Sequence, residues 1–146
     1  MGNQPSIIKK VNFEDIQNVL QKQNSNIILI NTLETTPEAQ SCILPGTLHY
    51  TQEENVINNC LNKAKNVQII IYGKNSSDTS IYEKYTQLID LGFINVYIYP
   101  GGMFEWMLLQ DIYSEEHFKT TQRELDILKF KPKSGMCTEY SYQTHS

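Results

Sequence analysis

Arginine is nearly missing from this chain: Arg123 is the only one in 146 residues. Lysine does not make up the deficit, and the net charge is −4. That excludes a general nucleic-acid surface, which needs clustered Lys and Arg against a phosphate backbone. Long hydrophobic runs are also missing. No stretch approaches the ~20 apolar residues that cross a bilayer, and none resembles the apolar centre of a secretory leader. A cytoplasmic protein is the expectation. Cysteine is scarce: Cys42, Cys60 and Cys137 are an odd number without metal-like or disulfide-like spacing. Reduced thiols, no metal and no cofactor are therefore expected.

The remaining composition is ordinary. Apolar residues make up 40% of the chain, and the length suits one domain with a real core. At the start, Met1-Gly2-Asn3-Gln4-Pro5-Ser6 fits M-G-x-x-x-[ST], which marks Gly2 as a candidate for N-myristoylation. A single acyl chain holds a membrane only weakly and needs a second signal. Lys9 and Lys10 are a weak candidate for one.

Periodicity organises residues 7 to 119. Ile7 to Val11 reads as a short strand, and Asn12 caps a helix carrying Phe13, Ile16, Val19 and Leu20 on one face. "NIILIN" (26–31) is a continuous apolar run, the mark of a parallel strand covered on both faces. After the Pro45-Gly46 turn, Thr51 and Glu54 suggest a capping box. The helix behind it carries Val56, Ile57, Cys60, Leu61 and Ala64 inward, with Cys60 as a small core residue. "VQIIIY" (67–72) is a second buried strand. Ser80 and Glu83 suggest another capping box, for a helix with Ile81, Tyr85, Leu88 and Ile89 inward and Gly92 at its end. "NVYIY" (95–99) is a third strand, and Pro100-Gly101-Gly102 leads into "MFEWMLLQDIY". Strands alternating with helices predict an α/β fold with a parallel sheet and helices on both faces. Within the last helix, Trp106 reads as core and Met103 and Phe104 as exposed anchors, since not every large residue of a turn can face inward. "TQRELDILKF" reads as one short helix, followed by a polar tail. The resulting organisation is an N-terminal segment 1–9, a domain 10–119 and a C-terminal extension 120–146.

"LGFINVYIYPGGMFEW" resembles the closing segment of rhodanese-like domains: Gly92, Phe93, Val96, Tyr97, Gly101, Gly102 and Trp106 fall on that family's spacing. "ILINTLE", "SCILPGTLHY" and "IIIYG" sit where the family has its first buried strand, its Pro-Gly turn and the strand ending in Tyr-Cys. The resemblance covers roughly residues 10 to 112 and implies a rhodanese-like α/β fold. It also implies a site: a cysteine opening a C-x-x-G-x-R-S loop, its thiolate held by backbone N–H groups at a helix N-terminus.

This chain departs from that site at every point. The cysteine position is Gly73, no arginine lies between Lys74 and Ser80, and the family's D-x-R pair is Asn31 and Leu33. The spacing from Gly73 to Gly92 is also longer than usual. The implied protein is a rhodanese-like pseudoenzyme without a catalytic residue. Its loop Gly73, Lys74, Asn75, Ser76, Ser77, Asp78 and Thr79 is left to hold an anion or a partner. Lys74 favours an anion, whereas Asp78 competes with one or fills the site itself. Ser76, Ser77 and Thr79 lack a neighbouring base, Cys42 lacks a cation or base to activate it, and His49 reads as structural. His117 and His145 read as solvated. Cysteine at position 73 should fit sterically, because the strand before the loop and the helix after it are intact.

The expected function is a non-catalytic, protein-binding or scaffolding module, with weak membrane association through Gly2. The alternative is a structural component of a larger assembly, cytoskeletal or ciliary. The 120–146 extension suggests it, having little evident reason to order on a lone domain. A divergent sulfurtransferase or phosphatase using Cys42 or His49 is the least favoured reading.

Overall fold

Apolar strands alternating with one-sided helices give a parallel sheet sandwiched between helical layers in the computed structural model, which describes residues 7–136 except 23 and 25. The elements run β1 (Lys9–Lys10), α1 (Phe13–Lys22), β2 (Ile27–Asn31), α2 (Glu53–Lys63), β3 (Gln68–Tyr72), α3 (Ser80–Asp90), β4 (Asn95–Tyr99) and α4 (Gly102–Tyr113). Short 3₁₀ turns occupy Tyr50–Gln52 and Ile127–Phe130. All pairings are parallel in the order β1-β4-β3-β2, with Ile30 opposite Ile71 and Ile71 opposite Ile98. An isolated bridge from Leu29 to Thr47 continues the β2 edge.

Side chains alternate across the strands, so each face builds its own core. Ile69, Ile71, Val96 and Ile98 meet Ile57 of α2 and Ile81, Tyr85 and Leu88 of α3. Cys60 packs at the edge of that cluster, as its helical spacing predicts. Leu29, Ile70, Tyr72 and Tyr99 meet Ile16 of α1 and Met103, Trp106 and Met107 of α4 on the other face. Trp106 is core as expected. Neither Met103 nor Phe104 is an exposed anchor: Met103 is fully buried and Phe104 is half-buried against the core, while Leu108, Ile112 and Tyr113 turn outward. The reason is local. The turn at Gly101-Gly102 starts α4 with Met103 aimed at the sheet.

The caps differ in part from the expectation. Asn12 caps α1 reciprocally, its Oδ1 accepting from Asp15 N at 3.1 Å while Asp15 Oδ2 accepts from Asn12 N at 3.0 Å. Gly92, at φ +107°, ends α3 with Phe93 N donating to Leu88 O at 3.2 Å. Thr51–Glu54 forms no capping box. His49 takes the cap of the 3₁₀ turn instead, its Nδ1 accepting from Thr51 N at 3.2 Å. Ser80 likewise does not cap α3, because its hydroxyl is engaged by Asp78 and Thr32.

The segment after α4 corrects two expectations. Among its described residues it holds no α-helix, only the four-residue 3₁₀ turn. Its described part also packs on its own domain: Phe118 and Phe130 are buried in the α1/α4 core. Trp106 Nε1 donates to Lys119 O at 3.0 Å and Gln110 Nε2 to Phe118 O at 2.7 Å. Thr121 N donates to Ile43 O at 2.9 Å. These backbone partners fix residues 118–121 in an irregular course, which the helical periodicity of the sequence does not reveal.

Candidate functional site

In open α/β sheets ligands settle in the crevice outside the carboxyl ends of the strands. Here that crevice has a volume of about 500 Å³ and is lined by Thr32 and Leu33 after β2, the loop after β3, and Lys131 and Lys133 from the C-terminal segment. The loop turns its polar groups on itself. Asp78 Oδ2 accepts from Lys74 N at 3.0 Å and Asp78 Oδ1 accepts from Ser80 N at 3.0 Å. Ser80 Oγ lies 2.5 Å from Asp78 Oδ1 and 2.7 Å from Thr32 Oγ1. Asn75 is buried, its Oδ1 accepting from Ser77 N at 2.9 Å and its Nδ2 donating to Phe130 O at 2.9 Å. A carboxylate at the first turn of a helix is favoured by the N–H groups exposed there. The anion in this cradle is the loop's own.

Gly73 lies directly beneath that carboxylate. A Cβ on residue 73 would stand 2.5 Å from Asp78 Oδ2, 2.7 Å from Thr32 Oγ1 and 3.0 Å from Ile81 Cγ2. The expectation that cysteine fits here is therefore wrong, because the space a side chain would enter is filled by Asp78 and Thr32. Lys74 does not reach into the cradle; its Nζ lies 3.6 Å from Glu34 Oε1 at the surface. Ser76, Ser77 and Thr79 are exposed.

α4 supports the loop from below. Met103 N donates to Gly73 O at 3.0 Å and Phe104 N to Lys74 O at 2.8 Å. Gly102, at φ +64°, admits this approach, since a Cβ there would stand 2.7 Å from Gly73 O and 2.9 Å from Asn75 N. Asn31 is a buried neutral amide paired with Gln40, its Nδ2 donating to Gln40 Oε1 at 2.9 Å and its Oδ1 accepting from Gln40 Nε2 at 2.8 Å. Leu33 is core. Neither position brings charge to the crevice.

The other candidates lie apart. Cys42 is 2% exposed with its Sγ 3.9 Å from Met107 Sδ, and burial raises its pKa. A thiol so placed is poorly ionised and shielded. His49 caps its 3₁₀ turn and stacks on Tyr50. Gly2, Cys137 and His145 lie outside the described residues. No cluster of His, Cys, Asp and Glu suited to a metal ion occurs among the described residues, and no helix there is long and apolar enough to cross a membrane. Sequence reasoning overlooked Thr32, Gln40 and Phe130. Each acts through a pairing distant in sequence or through a backbone carbonyl, which no residue pattern encodes.

A parallel α/β domain with a backbone cradle at the carboxyl end of a central strand defines a class of anion- and thiolate-holding folds. Residues 12–109 match the rhodanese-like domain family, and the chain belongs to it. Among solved structures, an uncharacterized protein of Saccharomyces cerevisiae is 20% identical at a TM-score of 0.54, covering 70% of this chain and 93% of its own. A rhodanese-like domain from Anabaena sp. is 15% identical at 0.52, covering 70% and 76%. A single-domain sulfurtransferase of S. cerevisiae is 16% identical at 0.51, covering 75% and 97%. Such identities show a common fold. No curated protein is similar enough in sequence to count as a relative.

Proposed function

We propose that this chain is a non-catalytic member of the rhodanese-like family that works as a protein-binding module in the cytoplasm. The observation that carries the reading is Asp78, whose carboxylate takes the Lys74 and Ser80 N–H groups above a glycine. A sulfur-transfer site needs a thiolate and a phosphatase site needs an attacking nucleophile and cationic help for its anion. Between residues 73 and 80 the chain offers neither cysteine nor arginine, and Cys42 is buried, which raises its pKa and shields it. The loop is thus a surface that satisfies its own polar groups, suited to contact more than to turnover.

Purified protein should show background rates of thiosulfate-to-cyanide sulfur transfer and of aryl phosphate hydrolysis. Turnover that disappears in Cys42→Ser would overturn the reading. A myristoyl group on Gly2 would add weak membrane affinity to the module. Intact mass from a myristoylating host should then carry one acyl chain, absent in Gly2→Ala.

A further inference from the structure

We propose that the outer face of α4, together with the turn at 125–128, is the docking surface of the module, and that its partner is an amphipathic helix edged with lysine or arginine. The inference rests on the protein-binding reading and names its contact face and the chemistry of the partner.

The face is apolar where solvent favours polar groups. Leu108 and Ile112 stand four residues apart on α4, so they form one stripe. Ile112 is 69% exposed, and Leu125 and Leu128, in the segment packed beside α4, are 80% and 61% exposed. Between the two elements lies a hollow of about 250 Å³, lined among others by Met107 and Asp111 of α4 and by Leu125 and Ile127. Asp111 is three residues from Leu108 and adjoins Ile112, which puts the hollow beside the stripe. Exposed apolar residues standing singly are ordinary, whereas a group of them around a hollow marks a contact site. Two ridges with a hollow between them suit a helix, whose anchors recur every three or four residues. One large apolar side chain would fill the hollow.

Charge decides the occupant. Both cations of this face are engaged by the chain's own carboxylates, Arg123 with Glu115 and Lys129 with Glu124 at 2.6 Å. Asp111, in the hollow, and Asp126, between two of its apolar neighbours, have no ion pair among the described residues. A second copy of this face would set like charges against each other, which opposes association. A helix with lysine or arginine along the edges of its apolar stripe meets them instead.

The test uses full-length protein and a synthetic helical probe with leucines on one face and lysines along both edges. A counterpart probe carries glutamates in place of the lysines. Ile112→Ser and Leu125→Ser change exposed side chains only, so their urea midpoints should match the unaltered chain. Light scattering should show a monomer. The lysine probe should bind at least about tenfold more tightly than the glutamate probe. Each serine variant should weaken the lysine probe about tenfold, the usual loss at a central anchor. Asp111→Asn should weaken it and flatten its salt dependence. Glu83→Gln, on the opposite side of the sheet, should leave it unchanged. A dimer that disappears in Ile112→Ser would give the face to a second copy and overturn the proposal. Failure of the lysine probe to bind would overturn it too. Equal binding to the unaltered chain and both serine variants would also overturn it, leaving a binding module whose contact lies elsewhere. Sulfur transfer in the assay above would remove the non-catalytic reading without altering any of these binding results.

Discussion

β3 and β4 lie side by side, and each ends in a buried tyrosine and leads through a glycine-containing turn into a helix. After Tyr99 the helix starts within three residues, and its first N–H groups are spent on Gly73 O and Lys74 O. After Tyr72 seven residues intervene, and a side chain from inside the loop caps the helix. Gly102 is there because backbone must pass close to backbone at positive φ. Gly73 is there because Asp78 and Thr32 leave no room above it. One glycine maintains the scaffold, and the other lies beneath the carboxylate that fills the cradle.

Substitutions at the two ends should separate these roles. Gly102→Ala should cost about 3 kcal/mol or more, combining positive-φ strain with overpacking against backbone that cannot yield. Urea midpoints measure it, and a loss below about 1 kcal/mol would show that the loop is softer than its contacts imply. Gly73→Cys should cost about 2 kcal/mol, since its Cβ meets the end of a short side chain. Most of that cost should vanish when Asp78→Ala is added, giving a coupling that distant sites do not show. Additive losses would place the clash elsewhere.

Asp78→Ala alone should lower stability by about 1 kcal/mol, the usual value of a lost N-cap. A gain in stability would mean that the carboxylate is strained in the cradle. The smallest effect is expected at the edge of the C-terminal segment. Glu124 has its pKa lowered, first by its hydrogen bond with Lys129. A depressed carboxyl adds stability that is present above the ordinary Glu value of about 4.3 and fades as pH falls through the lower folded value. Glu124→Gln should therefore cost under about 0.5 kcal/mol at neutral pH and nothing at pH values below both. An equal loss at acid pH would assign the effect to packing.

The sheet was readable because fully buried parallel strands are continuous apolar runs, and "NIILIN", "VQIIIY" and "NVYIY" have no other reading. Gly92 and the Gly101-Gly102 pair disclosed the frame of the site, since each satisfies a local backbone demand. Asp78 was legible as a conflict at an anion site, although not as a clash above Gly73, which depends on three residues meeting in space. The C-terminal segment was misread for a related reason. "TQRELDILKF" has helical spacing, but Thr121 and Phe130 are committed to partners far back in the chain, and tertiary contacts override so weak a propensity.

The sheet's two borders limit how anything can approach it. One border is β1, two exposed lysines long, and charged, very short strands resist pairing with a foreign chain. The other is β2, whose outer side meets its own chain where Leu48 N donates to Leu29 O at 2.8 Å beside the Leu29–Thr47 bridge. Recognition by adding a strand is thus closed off at both flanks. A partner of the proposed binding module would therefore read side chains on the helices and loops, by shape and charge more than through a shared backbone ladder.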